Sequence, residues 1–384
     1  DTLEQDLRRR DLTINAIAQE LDGSVAGAKL VDPCGGVADL NAGVLRAAGR
    51  ESFDADPLRV LRLARIAAQL GFQPELQTRE LALAAAPRLT GVAAERVFAE
   101  LCLLVASDRV VEGIQLAGEI GATGAVLPEL EALRGVQQSP YHHLDVYDHT
   151  LAVLSELVAI ERDPEAFFPG VAGELLGVLA QPLANGLTRG QALRFGALMH
   201  DIAKPSTRDV TADGRITFFD HHRVGVTMAT AILTGLRASE RLVSYVSALT
   251  RHHLRLGFLV HERPLSRRAL YDYLAACEPV GVDVSVLSVA DRLATRGRNH
   301  ERAISAHLQL AQEVMPDALA WQADRPRPPI AGDELARALQ IRPGPRLGAL
   351  LAELAAASYA HEFEDREELL AHARRFLLRD GEER

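Results

Sequence analysis

His149, the adjacent pair His200-Asp201, and Asp291 are the side chains of this sequence best suited to chemistry. Each falls on, or at the end of, an apolar stretch of helical spacing. Imidazole nitrogens and carboxylate oxygens delivered from separate helices can hold a divalent ion and leave a position open for water. Such an ion lowers the pKa of the water and polarises a phosphoryl oxygen, so the chemistry on offer is phosphate hydrolysis. Lys204, three residues past Asp201, can meet a substrate phosphate as a point charge. A lone His on an apolar helix is more often an ordinary core residue. The weight is therefore carried by the order of the four and by the run Leu198-Met199-His200-Asp201-Ile202-Ala203-Lys204-Pro205.

Two arginine groups suggest a different chemistry. Arg8, Arg9 and Arg10 lead into Asp11-Leu12-Thr13-Ile14-Asn15-Ala16, while Arg59, Arg62 and Arg65 follow Asp56. Guanidinium forks match phosphate oxygens bidentately, and Asp or Asn can exchange hydrogen bonds with sugar hydroxyls. By themselves the first residues read equally well as a solvated helix start with Asp11 as its N-cap. Asp56 and Arg59 read equally well as a surface i,i+3 ion pair.

Helices must position both sets. Residues 1 to about 50 mix a short helix, expected over Thr13 to Gln19, with turn-rich pieces; Leu30-Val31 reads as a strand entering a turn at Pro33 to Gly36. From Asp56 the pattern is helical. Val60, Leu63, Ala64, Ala67 and Leu70 mark one buried face, and Gly71 supplies a stop. The helices to about Gly124 form one module, and a second runs from Pro128 to about Asp317 with most of the histidines. Gln322 to Pro329, with three prolines, reads as a linker to a small helical tail that turns at Ile341 to Pro345. The fold class expected is mainly α, divided at residues 1–50, 51–125, 126–320 and 321–384.

With 384 residues, 48% hydrophobic and 24% charged, the chain has the composition of a globular protein of two or three domains. No apolar run of about 18 residues predicts a membrane span. Cys34, Cys102 and Cys277 are too few and too scattered for a disulfide framework or zinc knuckle, so a reducing cytoplasm is expected. The net charge of −10 argues against bulk electrostatic binding of nucleic acid, leaving any RNA to the arginine groups.

The order His149, His200-Asp201, Asp291 on helices resembles the HD phosphohydrolase superfamily. The resemblance implies that these four bind a metal ion, with Mg²⁺, Mn²⁺, Ni²⁺ or Co²⁺ all acceptable, and that Asp201 and Lys204 act in catalysis. It also places His221 and His253 where some members use extra ligands or phosphate contacts. The two arginine segments resemble motifs of the class II tRNA nucleotidyltransferases, the bacterial CCA-adding enzymes and their poly(A) polymerase relatives. Arg9, Arg10, Asp11, Thr13 and Asn15 then match a segment that binds the ribose and triphosphate of the incoming nucleotide, with Leu12 in place of the usual Phe. Asp56 and Arg59 match the Asp and Arg that read its base, with Ala55 where Glu usually stands. Arg62 and Arg65 complete the nucleotide-binding set. Asp32-Pro33-x-Gly35-Gly36, Glu95-Arg96-Val97 with Glu100-Leu101, and Pro343-Gly344-Pro345 continue the match in order.

The resemblance implies a head remnant (1–50), a nucleotide- and RNA-binding neck (51–125), an HD domain (126–320) and a tail (321–384). Its implied partners are tRNA, ATP and CTP, with Mg²⁺ for transfer and with neither DNA nor a membrane involved. In the family, a Gly-Gly-x-x-Arg-Asp element and an Asp-x-Asp metal pair precede the first matched motif, and that motif lies here within the first dozen residues. The chain is therefore expected to lack the part holding the transferase metals. The expected function is CCA-type tRNA 3′-end processing plus HD hydrolysis of RNA 2′-phosphates or 2′,3′-cyclic phosphates. Alternatives are a poly(A) polymerase, a CC- or A-adding enzyme, a stand-alone HD phosphohydrolase and an RNA-binding scaffold without catalysis.

Overall fold

The computed structural model describes residues 2–19, 30–297 and 300–382, and these are mainly helical, as expected. The N-terminal segment carries two short pairings. β1 (Ala18–Gln19) runs antiparallel to β2 (Leu30–Val31), and β3 (Val44–Leu45) runs parallel to β4 (Gln73–Pro74). The helix expected over Thr13 to Gln19 is only a 3-10 turn, Thr13–Asn15, because Ala18–Gln19 is drawn into the β1–β2 pairing. The turn after Pro33 is held by Asp32, whose carboxylate accepts from the backbone N–H of Gly36 (2.7 Å) and Val37 (2.9 Å). Gly36 has to be glycine there, since a Cβ would lie 2.0 Å from the carbonyl oxygen of Thr13.

The neck is built on α1 (Leu58–Leu70), α2 (Ala94–Val105) and α3 (Val110–Glu119). Val60, Leu63, Ala64 and Ala67 are buried as their spacing predicts, and Gly71 ends α1 in the left-handed conformation. Leu70 departs from that face: at the last turn it is 46% exposed.

The histidine-bearing helices follow: α4 (Val146–Arg162), α5 (Arg189–Met199), α6 (His221–Gly235), α7 (Glu240–His252), α8 (Gly281–Ala294) and α9 (His300–Ala323). Side-chain caps fix where three of them begin. Asp145 accepts from the N–H of Asp148, Ser239 caps α7, and Thr188 forms a capping box with Gln191. Helix α5 is buried almost all round. Its Arg189 donates to Asp283 on α8 (2.8 Å), which also accepts from the Tyr245 hydroxyl on α7 (2.7 Å). Its Arg194 pairs with Glu161 on α4 and donates to the carbonyls of Val105 (2.8 Å) and Ser107 (2.9 Å) at the end of α2. These buried ion pairs lock the helices that carry the candidate ligands and fasten them to the neck.

One continuous hydrophobic cluster runs from Leu12 through neck and histidine-bearing helices to Ala356. The two modules expected to divide near residue 125 thus share a core. Helix α9 passes the boundary expected at Asp317 and reaches Ala323, so the proline-rich connection begins at Asp324. Beyond it, α10 (Gly332–Leu339), α11 (Pro345–Tyr359) and α12 (Arg366–Glu382) enclose a separate small core around Leu335, Leu350 and Leu354. Among the described residues, no single helix is long and apolar enough to cross a membrane.

Candidate metal centre and candidate nucleotide site

Five helices bring the histidines and aspartates together. His149 lies one turn into α4 and Asp291 near the end of α8. His200 caps α5, with Asp201 following it into the turn; His221 opens α6 and His253 caps α7. They form two triads, His149/His200/Asp291 and Asp201/His221/His253, and within each the ligand atoms lie within 4.8 Å of one another. Asp201 faces both. Its Oδ2 is 3.1 Å from His200 Nε2 and 3.7 Å from His149 Nε2, while its Oδ1 is 3.4 Å from His221 Nε2 and 3.8 Å from His253 Nε2.

The hydrogen-bond pattern tests whether metal fits these residues. Nδ1 of His200 donates to the Ala197 carbonyl (2.7 Å), that of His221 to Phe218 (2.8 Å) and that of His253 to Thr250 (2.8 Å). A carbonyl can only accept, so the neutral rings must keep their protons on Nδ1 and turn the Nε2 lone pairs into the centre. Nε2 of His221 and Nε2 of His253 then face each other at 3.3 Å, two acceptors that repel unless a cation lies between or beside them. Nε2 of His149 and of His200 are likewise buried with no hydrogen-bond partner, and His149 Nε2 lies 3.1 Å from Asp291 Oδ1 without aiming a hydrogen bond at it. Buried lone pairs of this kind call for a ligand. Mixed imidazole and carboxylate donors suit a divalent first-row ion.

Electrostatics agree with this arrangement at His253 and at the two carboxylates, whereas His200 is drawn toward its protonated form by Asp201. Burial pushes the His253 imidazole down to about 3, helped by the neighbouring His200 charge, so it stays neutral and able to donate a lone pair. Burial alone would raise the Asp201 carboxyl, but the adjoining His200 and Lys204 outweigh it and hold the group well below the usual carboxylate range. For Asp291, burial is outweighed in the same way by the His149 ring. His200 is raised because the Asp201 charge outweighs burial.

Lys204 is not a free point charge. Its ammonium is buried, donating to Asp201 Oδ2 (2.6 Å) and to Gln138 Oε1 (2.6 Å), with the Phe218 ring 5.3 Å away. Gln138, and His142, whose ring stands edge-on to His149 at 5.3 Å, border the centre without having been marked by the sequence motifs. The only sequence signal near them is the pair His142-His143 just upstream of α4.

The neck residues are assembled differently. Asp11 is buried and accepts from the Leu12 N–H (2.8 Å), the Asn15 amide (3.0 Å) and Arg62 (3.4 Å), so it braces the 3-10 turn and does not cap a solvated helix. Glu100, also buried, takes Arg62 at 3.0 Å and Arg65 at 2.7 Å. Asp56 pairs with Arg96 (2.8 Å), 40 residues away, instead of with Arg59. Arg59 donates to the carbonyls of Ser52 (2.9 Å) and Arg10 (3.3 Å). Arg10 is exposed and paired with Asp6, and Arg9 is exposed at the end of Leu3–Arg8. The sequence's one Asp-x-Asp, Asp54 and Asp56, has each carboxylate bound by an arginine, Arg88 and Arg96.

Comparison with known proteins matches these three parts separately. Residues 1–46 match the poly A polymerase head domain, residues 71–133 the probable RNA and SrmB-binding site of polymerase A, and residues 146–296 the HD domain. The A-adding tRNA nucleotidyltransferase of Deinococcus radiodurans is 35% identical over 99% of this chain and 80% of that protein. The CC-adding tRNA nucleotidyltransferase of Thermus thermophilus is 34% identical over 98% and 77%. Among solved structures, the Thermotoga maritima CCA-adding enzyme complexed with tRNA superposes on 98% of this chain and 74% of its own, with a TM-score of 0.60 at 19% identity, which is a likeness of fold. Head, neck and HD signatures in one order, with relatives of this identity along nearly the whole chain, place it in a single family: the chain belongs to the bacterial tRNA nucleotidyltransferases of the CCA-adding and poly(A) polymerase type that carry an HD domain.

Proposed function

We propose that the protein extends tRNA 3′ ends from CTP and ATP, and that its HD centre is a metal-dependent phosphohydrolase for RNA 2′-phosphates or 2′,3′-cyclic phosphates. The observation that carries the hydrolase reading is the pair of triads that Asp201 faces, with the outward nitrogens of His200, His221 and His253 already committed to carbonyls. His149, His200 and Asp291 would hold one divalent ion, and His221 and His253 a second, with Asp201 between. Such ions supply an activated water and neutralise charge on the phosphoryl oxygens. The chain's own groups do the rest. The carbonyls of Ala197, Phe218 and Thr250 keep the imidazoles oriented, and Lys204, fixed by Gln138, orients Asp201. Opening a cyclic phosphate adds the water oxygen to phosphorus, breaks one ribose P–O bond and returns the proton to that ribose oxygen.

For transfer, Asp56 and Arg59 are the base-reading pair of this reading, with Arg9, Arg10, Asp11, Asn15, Arg62 and Arg65 around the sugar and phosphates. Glu100 and Arg96 hold this face together. The working division is head 1–50, neck 51–125, HD 126–320 and tail 321–384. A second reading, addition of CC alone or A alone, is favoured by one observation: two relatives aligned along nearly the whole chain carry those names.

Two assays on the whole protein test the proposal. The first offers tRNA lacking its terminal triplet, or lacking only its last A, with CTP and ATP. Addition of CCA supports the first reading, addition of CC or A alone supports the second, and no incorporation from either removes transfer. The second measures release of a 2′,3′-cyclic phosphate end with Mg²⁺, Mn²⁺, Ni²⁺ or Co²⁺. Hydrolysis that survives in Asp201→Ala removes the HD centre from consideration.

A further inference from the structure

A cavity of about 970 Å³ opens onto the HD centre. His253 and Asp291 stand in its wall, one from each triad, so a phosphate at the centre is reached from this side. The volume is near the top of the roughly 300–1,000 Å³ that small-molecule pockets span, which leaves room beyond the reacting phosphate and its own nucleotide.

The wall beyond the ligands is basic. Arg292 follows Asp291 on α8, and Arg302 comes from the first turn of α9. Neither guanidinium makes a hydrogen bond or ion pair with any described residue. This contrasts with Arg189 and Arg194 in the same helical bundle: Arg189 meets the buried Asp283, Gln322 and the Pro279 carbonyl, and Arg194 meets the half-buried Glu161 and the carbonyls of Val105 and Ser107. Besides Asp291, the wall holds one carboxylate, the exposed Glu301. Two unpaired guanidiniums lining a cavity, in a chain of net charge −10, form a receptor for an anion.

The rim adds a second feature. Phe258, 64% exposed, follows Gly257 of the cavity wall. Exposed aromatic faces beside a cationic groove are how single-stranded nucleic acid is held without reading its sequence.

We propose that this cavity takes the last two nucleotides of an RNA 3′ end, with the terminal phosphate at the metal ligands and the phosphodiester before it on Arg292 and Arg302. The inference rests on the HD hydrolase reading and adds to it a second anion subsite, which makes the centre selective for a chain end over a free mononucleotide.

The test is equilibrium binding, by calorimetry on the whole chain with Mn²⁺, of non-hydrolysable 2′-methylenephosphonate analogues of adenosine 2′-phosphate and of the dinucleotide ApA bearing a 2′-phosphate. The dinucleotide is expected to bind about tenfold more tightly, the scale of one charge-assisted contact. Arg302→Ala, at an exposed position, should reduce that advantage to less than about twofold, and Arg302→Lys should restore part of it. Equal affinities in the wild type, or an advantage that persists when both Arg292→Ala and Arg302→Ala are made, would overturn the subsite. Hydrolysis is measured in parallel on adenosine and ApA with a 2′,3′-cyclic phosphate end. Tighter dinucleotide binding without hydrolysis sinks the hydrolase reading and leaves the subsite; hydrolysis of both without a binding advantage sinks the subsite alone. Failure of either probe to bind removes both.

Discussion

The neck and the HD centre both bury ionisable groups and treat them in opposite ways. In the neck, Glu100 meets Arg62 and Arg65, Asp11 meets Arg62 and Asn15, and Asp56 meets Arg96, so each carboxylate is satisfied from within. In the HD centre, His149 and His200 keep buried Nε2 atoms without partners, and His221 and His253 point lone pairs at each other. A satisfied network is a brace that holds a surface in shape; a buried set left unsatisfied is a socket. The neck's charged residues are therefore fixed by one another, while the HD centre's buried lone pairs are left open to a ligand.

Removing the shared ligand breaks this contrast most severely. Asp201→Ala should abolish bound metal and lower hydrolysis by more than the roughly 10- to 100-fold that loss of a supporting partner costs, checked by metal analysis alongside phosphate release. On the other side, Glu100→Ala leaves Arg62 only Asp11 and Arg65 only Gln69, and should destabilise the protein by about 1–3 kcal/mol, read from the denaturation midpoint with no change in metal content. An unchanged midpoint would mean that the neck network is not a brace. Gln138→Ala releases Lys204 from its second acceptor and should weaken metal binding or hydrolysis by roughly 10-fold, the lower end for a supporting contact. If Gln138→Ala leaves both untouched, Lys204 is placed by Asp201 alone.

The smallest effect concerns acid. His307 hydrogen-bonds Ser288 (3.1 Å), and burial pushes its imidazole down to about 4. The unfolded chain, with an ordinary imidazole near 6.5, binds more protons between those values. Stability is thus full above about pH 6.5 and declines as pH falls toward 4. His307→Gln should flatten part of that decline in a series of melting temperatures, without moving the value at pH 7.5 by more than a few degrees.

Much of the socket could be read in the sequence, because its ligands sit at helix ends in a recognisable order and His200-Asp201 are neighbours. The brace was harder to read. Asp56 and Arg59 lie one turn apart and invite a local pairing, yet the partner Asp56 takes is Arg96, 40 positions away. Such contacts depend on how α1 meets α2, which local spacing does not encode. The same applies to Gln138, 66 positions from Lys204 and ahead of every motif it serves. The short helix expected after Thr13 failed for a related reason, because pairing with Leu30–Val31 overrode local propensity. The shared core of neck and histidine helices was hidden too, since Arg194 fastens them through the backbone carbonyls of Val105 and Ser107.

The seam at α11 has a thermal consequence. One side of this helix gives Ala355 and Ala356 to the large core, and the other gives Leu347, Leu350 and Leu354 to the tail's own cluster. Alanines and the half-buried Tyr359, which meets Tyr271 and Trp321, face the body, while the leucines face the tail, so most of the leucine surface of α11 lies in the tail's own cluster. Neck and HD helices, sharing one interior, should melt as a single cooperative unit, and the tail as a second, smaller one at lower temperature.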